Sequence, residues 1–395
     1  MRVVVAGCGI FGVTAALALR HRGHDVAVVD AGPVPHPLAE STDISKVVRL
    51  DYGGDELYTA LAERALEGWR AWNAGWPAPL FHETGVAFLT RAPMAPGGFE
   101  HDSFELLRRR GHVVERLDAA TIARRFPAYR AGALVDGYFN PAGGWVESGQ
   151  VVTRLVAQAT ALGVEVAAGR PARSVVERGG RAVGLELDDG LVREADAIVV
   201  AAGAWTALLC PWLAGAFKPV GQTVFHLRPA RPASFRALAF PVFGADIART
   251  GYYGFPLHAG VVKIGNHGVG VPVDMTSARR AVPAGEERAL QSFLRDVIPG
   301  LAGAEIATRR LCVYCDTLDE HFWIAADPDR PGLVVATGGS GHGFKFAPVL
   351  GDLVADAVEG RTSHEAARFR WRAELTAARG EEAARARLHR TLPTE

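Results

Sequence analysis

Cysteine is scarce in this sequence and opposite charges balance, and each fact excludes a class of protein before any motif is read. Four cysteines, Cys8, Cys210, Cys312 and Cys315, in 395 residues do not make the disulfide framework of a secreted scaffold, so the cytoplasm is the expected location. With 43 Lys+Arg against 43 Asp+Glu, the formal net charge is zero, and no basic field invites nucleic acid or an anionic membrane. No run of 18 apolar residues suggests a membrane span. Internal repeats and low-complexity tracts are also lacking. The apolar start of the chain resembles the core of a secretory leader. Gly7, Gly9 and Gly12 interrupt it, however, and an acid-terminated strand follows, so it reads as folded structure.

What is present suits a globular protein: 49% apolar and 22% charged residues, with a length for which two domains are the prior. The N-terminal stretch RVVVAGCGIFGVTAALALRHRGHDVAVVD organises the rest. Val3, Val4 and Val5 form a β-branched run that reads as a buried parallel strand. Gly7, Gly9 and Gly12 give G-x-G-x-x-G, a helical segment follows, and a second strand ends at Asp30. The glycines allow a tight turn and close approach of a pyrophosphate to a helix N-terminus, while the acid accepts hydrogen bonds from a ribose. An acid here favours an unphosphorylated ribose, so the residues point to FAD or NAD rather than NADP.

Further along, a Pro/Ser/Thr-rich loop (31–43) leads into ISKVVRLDYGGDELY and a helix over 57–72. A strand is expected over 83–90, a loop over 91–101, and helices over 103–110 and 119–125. WVESGQVVTRLVAQATALG reads as a helix with Ser148 near its start. SVVERGGRAVGLELDDG reads as a hairpin with a Gly-Gly turn, and DAIVVAAGAW as a buried strand. Residues 216–310 read as antiparallel strands and one helix. The expected fold is α/β: a discontinuous Rossmann-like FAD-binding domain (1–82, 143–215 and 311–375) and an α+β substrate domain with a mixed or antiparallel sheet (83–142 and 216–310). Residues 376–395 form a charged tail.

A second constellation spans 310–354. The strand Leu333 to Ala336 runs into Thr337-Gly338-Gly339-Ser340-Gly341-His342-Gly343, and a helix follows with Lys345 at its first turn. A helix N-terminus plus a lysine favours negative charge. Two such sites in one chain suit a ligand with both a pyrophosphate and a redox ring that becomes anionic, as reduced flavin does. Cys312 and Cys315 form C-x-x-C, but zinc would need two more ligands and a redox pair sits at a helix start, whereas RRLCVYC reads as extended. Two buried core cysteines are the plain alternative. No metal is expected.

The motifs RLCVYCDTLDEHFWI and VVATGGSGHGFKF, with the N-terminal fingerprint and YYGFP and KIGNHG between them, resemble the monomeric sarcosine oxidase branch of the D-amino-acid-oxidase-like flavoproteins over nearly the whole chain. The resemblance implies FAD, carried covalently by Cys312, with Tyr314 two places on. It implies Lys263 as the lysine that activates dioxygen, His267 as the active-site histidine near the substrate amine, and Arg49 with Lys345 as the holders of a substrate carboxylate. Tyr253 is implied as a pocket wall. Cofactor contacts are further expected at Ile10, Phe11, Ala31, Ser41, Thr42, Lys46, Val175, Ala202, Gly203, Trp205, Gly339, Gly341, His342, Gly343 and Phe344, besides the fingerprint residues.

One segment departs from that branch. Where the sarcosine oxidases carry H-G-x-T-R-I-I-R, this chain reads Ser41-Thr42-Asp43-Ile44-Ser45-Lys46-Val47-Val48-Arg49, whose D-x-S-K is more similar to the fructosyl-amino-acid (Amadori) oxidases. The expected activity is therefore oxidation of a secondary-amine amino acid to an imine by a monomeric FAD enzyme, with dioxygen reduced to hydrogen peroxide. Fructosyl-amino-acid, pipecolate-type or saccharopine-type oxidation, a dehydrogenase with another electron acceptor, and a non-catalytic flavin-binding subunit stay open.

Overall fold

The N-terminal valines form a strand, Arg2–Ala6, at the middle of a six-stranded sheet. In this computed structural model, which describes residues 1–372, the sheet runs Trp323–Ala326, Leu333–Thr337, Ala197–Val200, Arg2–Ala6, Asp25–Asp30, Glu165–Ala168. Every neighbouring pair is parallel except the first. A parallel sheet needs both faces covered, and the alternation of side chains shows how this is done. Val3 and Val5 pack with residues of the helices Ile10–His21, Ser148–Ala161 and Ala347–Val358. Val4 and Ala6 point the other way, into a core shared with the three-stranded sheet Ala172–Arg178, Arg181–Leu187 and Val192–Glu194.

A second, nine-stranded sheet is built from Val86–Thr90, Glu115–Asp118, Asp136–Asn140, Phe217–Arg228, Val242–Ala245, Tyr252–Gly254, Val262–Asn266, Val271–Pro272 and Glu305–Thr317. It is mixed, since Val242–Ala245 pairs parallel with Val86–Thr90 and the other pairs are antiparallel. One face buries Ala87, Leu89, Val262 and Ile264 against Leu290, Phe293, Leu294 and Val297 of the helix Ala284–Val297. The period of two then sends Phe88 and Lys263 to the opposite face, where Phe88 joins the large core that also contains the helices of the first sheet. The site lies on that face.

Several local expectations differ from the structure. The helix expected from 103 begins earlier, Phe99–Arg109, with Glu100 and Asp102 in its first turn, where carboxylates complement the helix dipole. Residues 46–48, to which the sequence assigned no element, are a short strand. Lys46–Val48 pairs with Gly144–Val146, which pairs in turn with Phe81–His82. The strand Glu305–Thr317 pairs along its length with Phe217–Arg228, so it runs through residue 310, where the sequence suggested a change of domain. Lys345 belongs to a 3-10 turn, Phe344–Phe346, that precedes the helix Ala347–Val358. The segment 376–395 lies outside the described residues. Among those described, no helix is long and apolar enough to cross a membrane.

Candidate active site

Gly7 and Gly9 of the glycine fingerprint line a cavity of about 340 Å³, within the size range of ligand pockets. Gly7 has φ +100°, and a Cβ there would lie 2.5 Å from the carbonyl oxygen of Ala201. A Cβ on Gly12 would lie 1.9 Å from the Gly7 carbonyl oxygen, so Gly12 is fixed by backbone packing and stands behind the cavity rather than in its wall. No side chain caps the helix at Gly9, and the Ile10 N–H donates to Ser41 Oγ at 2.9 Å. Asp30 accepts from the N–H of Cys8 (2.7 Å) and of Gly32 (3.1 Å), which aims its carboxylate at the rim. Ile10, Phe11, Ala31, Ser41, Ala202, Gly203 and Trp205 line the cavity, as do Gly339, Gly343 and Phe344 from the second glycine turn. A helix start whose N-cap glycine has no side chain, with Ser41 holding the first N–H, and an acid in the cavity wall fit the pyrophosphate and ribose of FAD.

Where the second turn meets the mixed sheet, cationic groups converge. Arg49 lies with its guanidinium carbon 4.7 Å from the Tyr52 ring centroid, 5.6 Å from Phe99 and 5.9 Å from Phe88. Its Nη1 is buried without a hydrogen-bond partner. Lys345 Nζ donates to Tyr52 Oη (2.9 Å) and to the His342 carbonyl (2.7 Å). Burial, then the charge of Arg49, pushes Lys345 well below the ordinary lysine range. His342 is likewise held well below its usual value by burial and by Lys345, so the ring is neutral. Its Nε2 faces the Glu320 carbonyl at 3.0 Å and its Nδ1 faces Tyr52 Oη at 3.1 Å. Only one assignment satisfies every atom: Nε2–H donates to Glu320, and Tyr52 donates to Nδ1 while accepting from Lys345. Two of the three Lys345 N–H groups are thus used. A buried cation with no partner costs free energy unless an anion fills the gap, and a carboxylate matches the guanidinium in geometry and charge.

Across the site, Lys263 is 1% exposed and forms an ion pair with Asp43 Oδ2 at 2.6 Å, with a second bond to the Ser45 carbonyl at 2.5 Å. Burial pulls Lys263 down to about 8 against the opposing pull of Asp43. Asp43 itself stays well below the carboxylate range; burial works against this, but Lys263, His226 and Lys46 outweigh it. Lys46 Nζ lies 3.8 Å from Cys312 Sγ. Burial disfavours its charge, yet Cys312 and Asp43 hold it above the ordinary value. Cys312 is buried in a small cluster with Val224 and Tyr314. Tyr253, hydrogen-bonded to Tyr314, is pushed up to about 12, chiefly by burial. The His267 ring lies 5.8 Å from that of Tyr314.

Strand alternation separates the two cysteines of C-x-x-C. Cys312 and Tyr314 face one way, while Val313 and Cys315 face the other and line the cavity. All four cysteines are free and buried. Gly341, at φ +73°, lies against Tyr314, whose ring a Cβ there would approach to 2.2 Å. Of the expected contacts, Val175 packs at the edge of the core under the three-stranded sheet, and Pro171, Ala172 and Arg173 line the cavity in its vicinity. Thr42 sits beside the Lys263 cluster through its carbonyl, which accepts from Arg310. Tyr52 and Asp43 were missed as site residues, although both stand within a few positions of Arg49. A tyrosine three residues after an arginine and an acid in a loop carry no periodic signal.

Residues 2–357 match the family described as FAD dependent oxidoreductase (DAO). The chain is 29% identical over 373 residues to monomeric sarcosine oxidase of Bacillus sp. (strain B-0618), covering 93% of this chain and 94% of that one. It is 30% identical over 363 residues to N-methyl-L-tryptophan oxidase of Salmonella typhimurium, covering 91% and 95%. Among solved structures, Amadoriase I from Aspergillus fumigatus, a fructosyl amine:oxygen oxidoreductase, superposes with TM-score 0.83 at 25% identity over 97% of this chain and 92% of that one. Amadoriase II from the same organism gives TM-score 0.86 at 22% identity, with the same coverage.

Proposed function

The chain belongs to the FAD-dependent oxidoreductase (DAO) family, and from that premise we propose that it oxidises the C–N bond of a secondary-amine amino acid, N-alkyl or cyclic, with dioxygen as acceptor. The observation that carries this reading is the buried, unpartnered Arg49 Nη1 beside Lys345. Bound FAD supplies the two-electron acceptor for the carbon-bound hydride and passes the electrons on to dioxygen. The substrate carbon next to nitrogen loses a hydride while the nitrogen lone pair closes a C=N bond. Dioxygen, with two electrons and two protons, leaves as hydrogen peroxide. Water then hydrolyses the imine unless it is cyclic.

The chain's own residues bind, orient and tune. Arg49 and the free N–H of Lys345 take the carboxylate, and Tyr52 holds Lys345 in place. His267 favours the uncharged amine, since an ammonium has no lone pair to drive the oxidation. Tyr253 and Tyr314 wall the pocket. Lys263 supplies a fixed cation where negative charge develops on dioxygen. Cys312, with the Lys46 ammonium beside its sulfur, is the residue for a thioether to the flavin. A second reading, oxidation of a fructosyl amino acid, has its own support in the segment from Ser41 to Arg49 and in the likeness to Amadoriase I.

A peroxide-coupled screen of N-methyl, cyclic and glycated amino acids tests the substrate class. Turnover with a secondary-amine amino acid and stoichiometric peroxide is the expected result. Turnover only with an artificial electron acceptor would make the enzyme a dehydrogenase. Acid precipitation tests the attachment: a yellow pellet is expected, and a colourless pellet under a yellow supernatant would remove Cys312 from its role.

A further inference from the structure

Asp43 has no part in the reaction as described, yet few side chains here are so firmly held. Its side chain is 1% exposed. Oδ2 accepts from Lys263, while Oδ1 accepts from the Ile44 N–H at 2.7 Å and lies 3.3 Å from His226 Nε2. Its carbonyl accepts from Ser148 Oγ (2.8 Å) and from the Gly149 N–H (3.0 Å) at the start of the helix Ser148–Ala161. Arg310 braces the same loop through the carbonyls of Thr42 and Ala39. His226 and Lys263 are Cα partners on adjacent strands, so the carboxylate spans both strands. The charged or titratable groups facing the pair are His226, Lys46, Arg310, Cys312 and Tyr253.

We propose that Asp43 is the positioning residue of the dioxygen site, aiming the Lys263 ammonium and keeping it charged. The proposal rests on the reading of Lys263 as the cation for dioxygen. Of its three N–H groups, one goes to Asp43 and one to Ser45, which leaves the third in a fixed direction. Burial drives Lys263 toward neutrality and Asp43 opposes it. Removing the carboxylate therefore has two opposed effects. The ammonium loses its proton at lower pH, but while it persists no neighbouring anion offsets its field. An Asp43→Asn amide still accepts from the lysine, so geometry changes little while charge changes fully.

The test is reoxidation of the substrate-reduced holoenzyme by dioxygen, followed by rapid mixing across pH, in wild type, Asp43→Asn and Lys263→Met. Wild type is expected to slow through an inflection near about 8. Asp43→Asn should show the inflection lower by about one to three pH units, with a rate at the acid end no lower than wild type. Lys263→Met should be slow and flat. Thermal midpoints give a readout independent of activity. Between its own inflection and that of wild type, Asp43→Asn binds fewer protons folded than unfolded, so it gains stability with rising pH while wild type does not. The gap in midpoint should therefore narrow as pH rises toward 8.

Fast reoxidation in Lys263→Met overturns the dioxygen reading of Lys263, and the proposal with it. Slow Lys263→Met together with an unshifted Asp43→Asn inflection, or a pH-independent gap in midpoint, overturns the role of Asp43 alone. If Asp43→Asn does not fold, Asp43→Glu decides, because it keeps the charge and must keep the inflection near that of wild type. A displaced inflection there would count against the proposal.

Discussion

Replacing Arg49 with methionine keeps most of the apolar stem but removes a guanidinium whose Nη1 is buried without a hydrogen-bond partner and which lies over the rings of Tyr52, Phe88 and Phe99. If Arg49 receives the substrate carboxylate, the variant must lose a desolvated, charge-assisted pair, and such truncations cost about 2–5 kcal/mol. That corresponds to a fall in kcat/KM of roughly 30- to 5000-fold for carboxylated substrates. Lys345 remains, and losing the charge of Arg49 relieves part of the pressure on its ammonium, but a single point charge does not reproduce the two-pronged fit of a guanidinium to a carboxylate. The loss should appear mainly in KM, because the carboxylate is held equally in ground and transition states. The assay compares an N-methyl amino acid with the matching N-methyl amine lacking the carboxylate, in wild type and Arg49→Met. The neutral analogue, poor with wild type, should change little in the variant. Equal losses for both compounds would refute the argument, since Arg49 would then be supporting the pocket rather than reading the anion.

Four further outcomes follow from the same geometry. Tyr52→Phe removes the hydroxyl shared by Lys345 and His342 and should raise KM for carboxylated substrates by about tenfold, a cost near 1–2 kcal/mol for one lost charged hydrogen bond, measured by steady-state kinetics. Cys312→Ser should release all flavin into the supernatant on acid precipitation while the folded protein still binds FAD. Gly341→Ala would drive a Cβ to 2.2 Å from the Tyr314 ring at φ +73°, so thermal stability and FAD content should both fall; an unchanged melting curve with full flavin would contradict the packing. Lys263→Met should slow reoxidation by dioxygen far more than anaerobic reduction by substrate, and equal effects on the two half-reactions would place the lysine elsewhere.

Much of the architecture was legible because it is local. A β-branched run, three glycines at fixed spacing, a helix and an acid-terminated strand are each dictated by backbone sterics and by the need to cover a parallel sheet on both faces. The sequence by itself determined the nucleotide-binding turn, the Gly-Gly hairpin and the second glycine turn with Lys345, and the structure contains all three. The motif of that second turn was specific enough to name a family.

Tertiary structure alone decided what the charged groups do. Asp43 meets Lys263 across 220 positions and Lys345 meets Tyr52 across 293. Such contacts depend on strand register and on how the two sheets pack, and a one-residue slip would turn Lys263 into the apolar core beside Val262 and Ile264. Register also placed Cys312 and Cys315 on opposite faces, which C-x-x-C spacing cannot reveal. Burial did the rest: apart from the family resemblance and the turn that carries Lys345, nothing in one dimension separates Arg49, Lys345 and Lys263 from ordinary surface charges. Only withdrawal from water leaves the first with a buried, unpartnered nitrogen, makes the second a weakened cation and ties the charge of the third to Asp43.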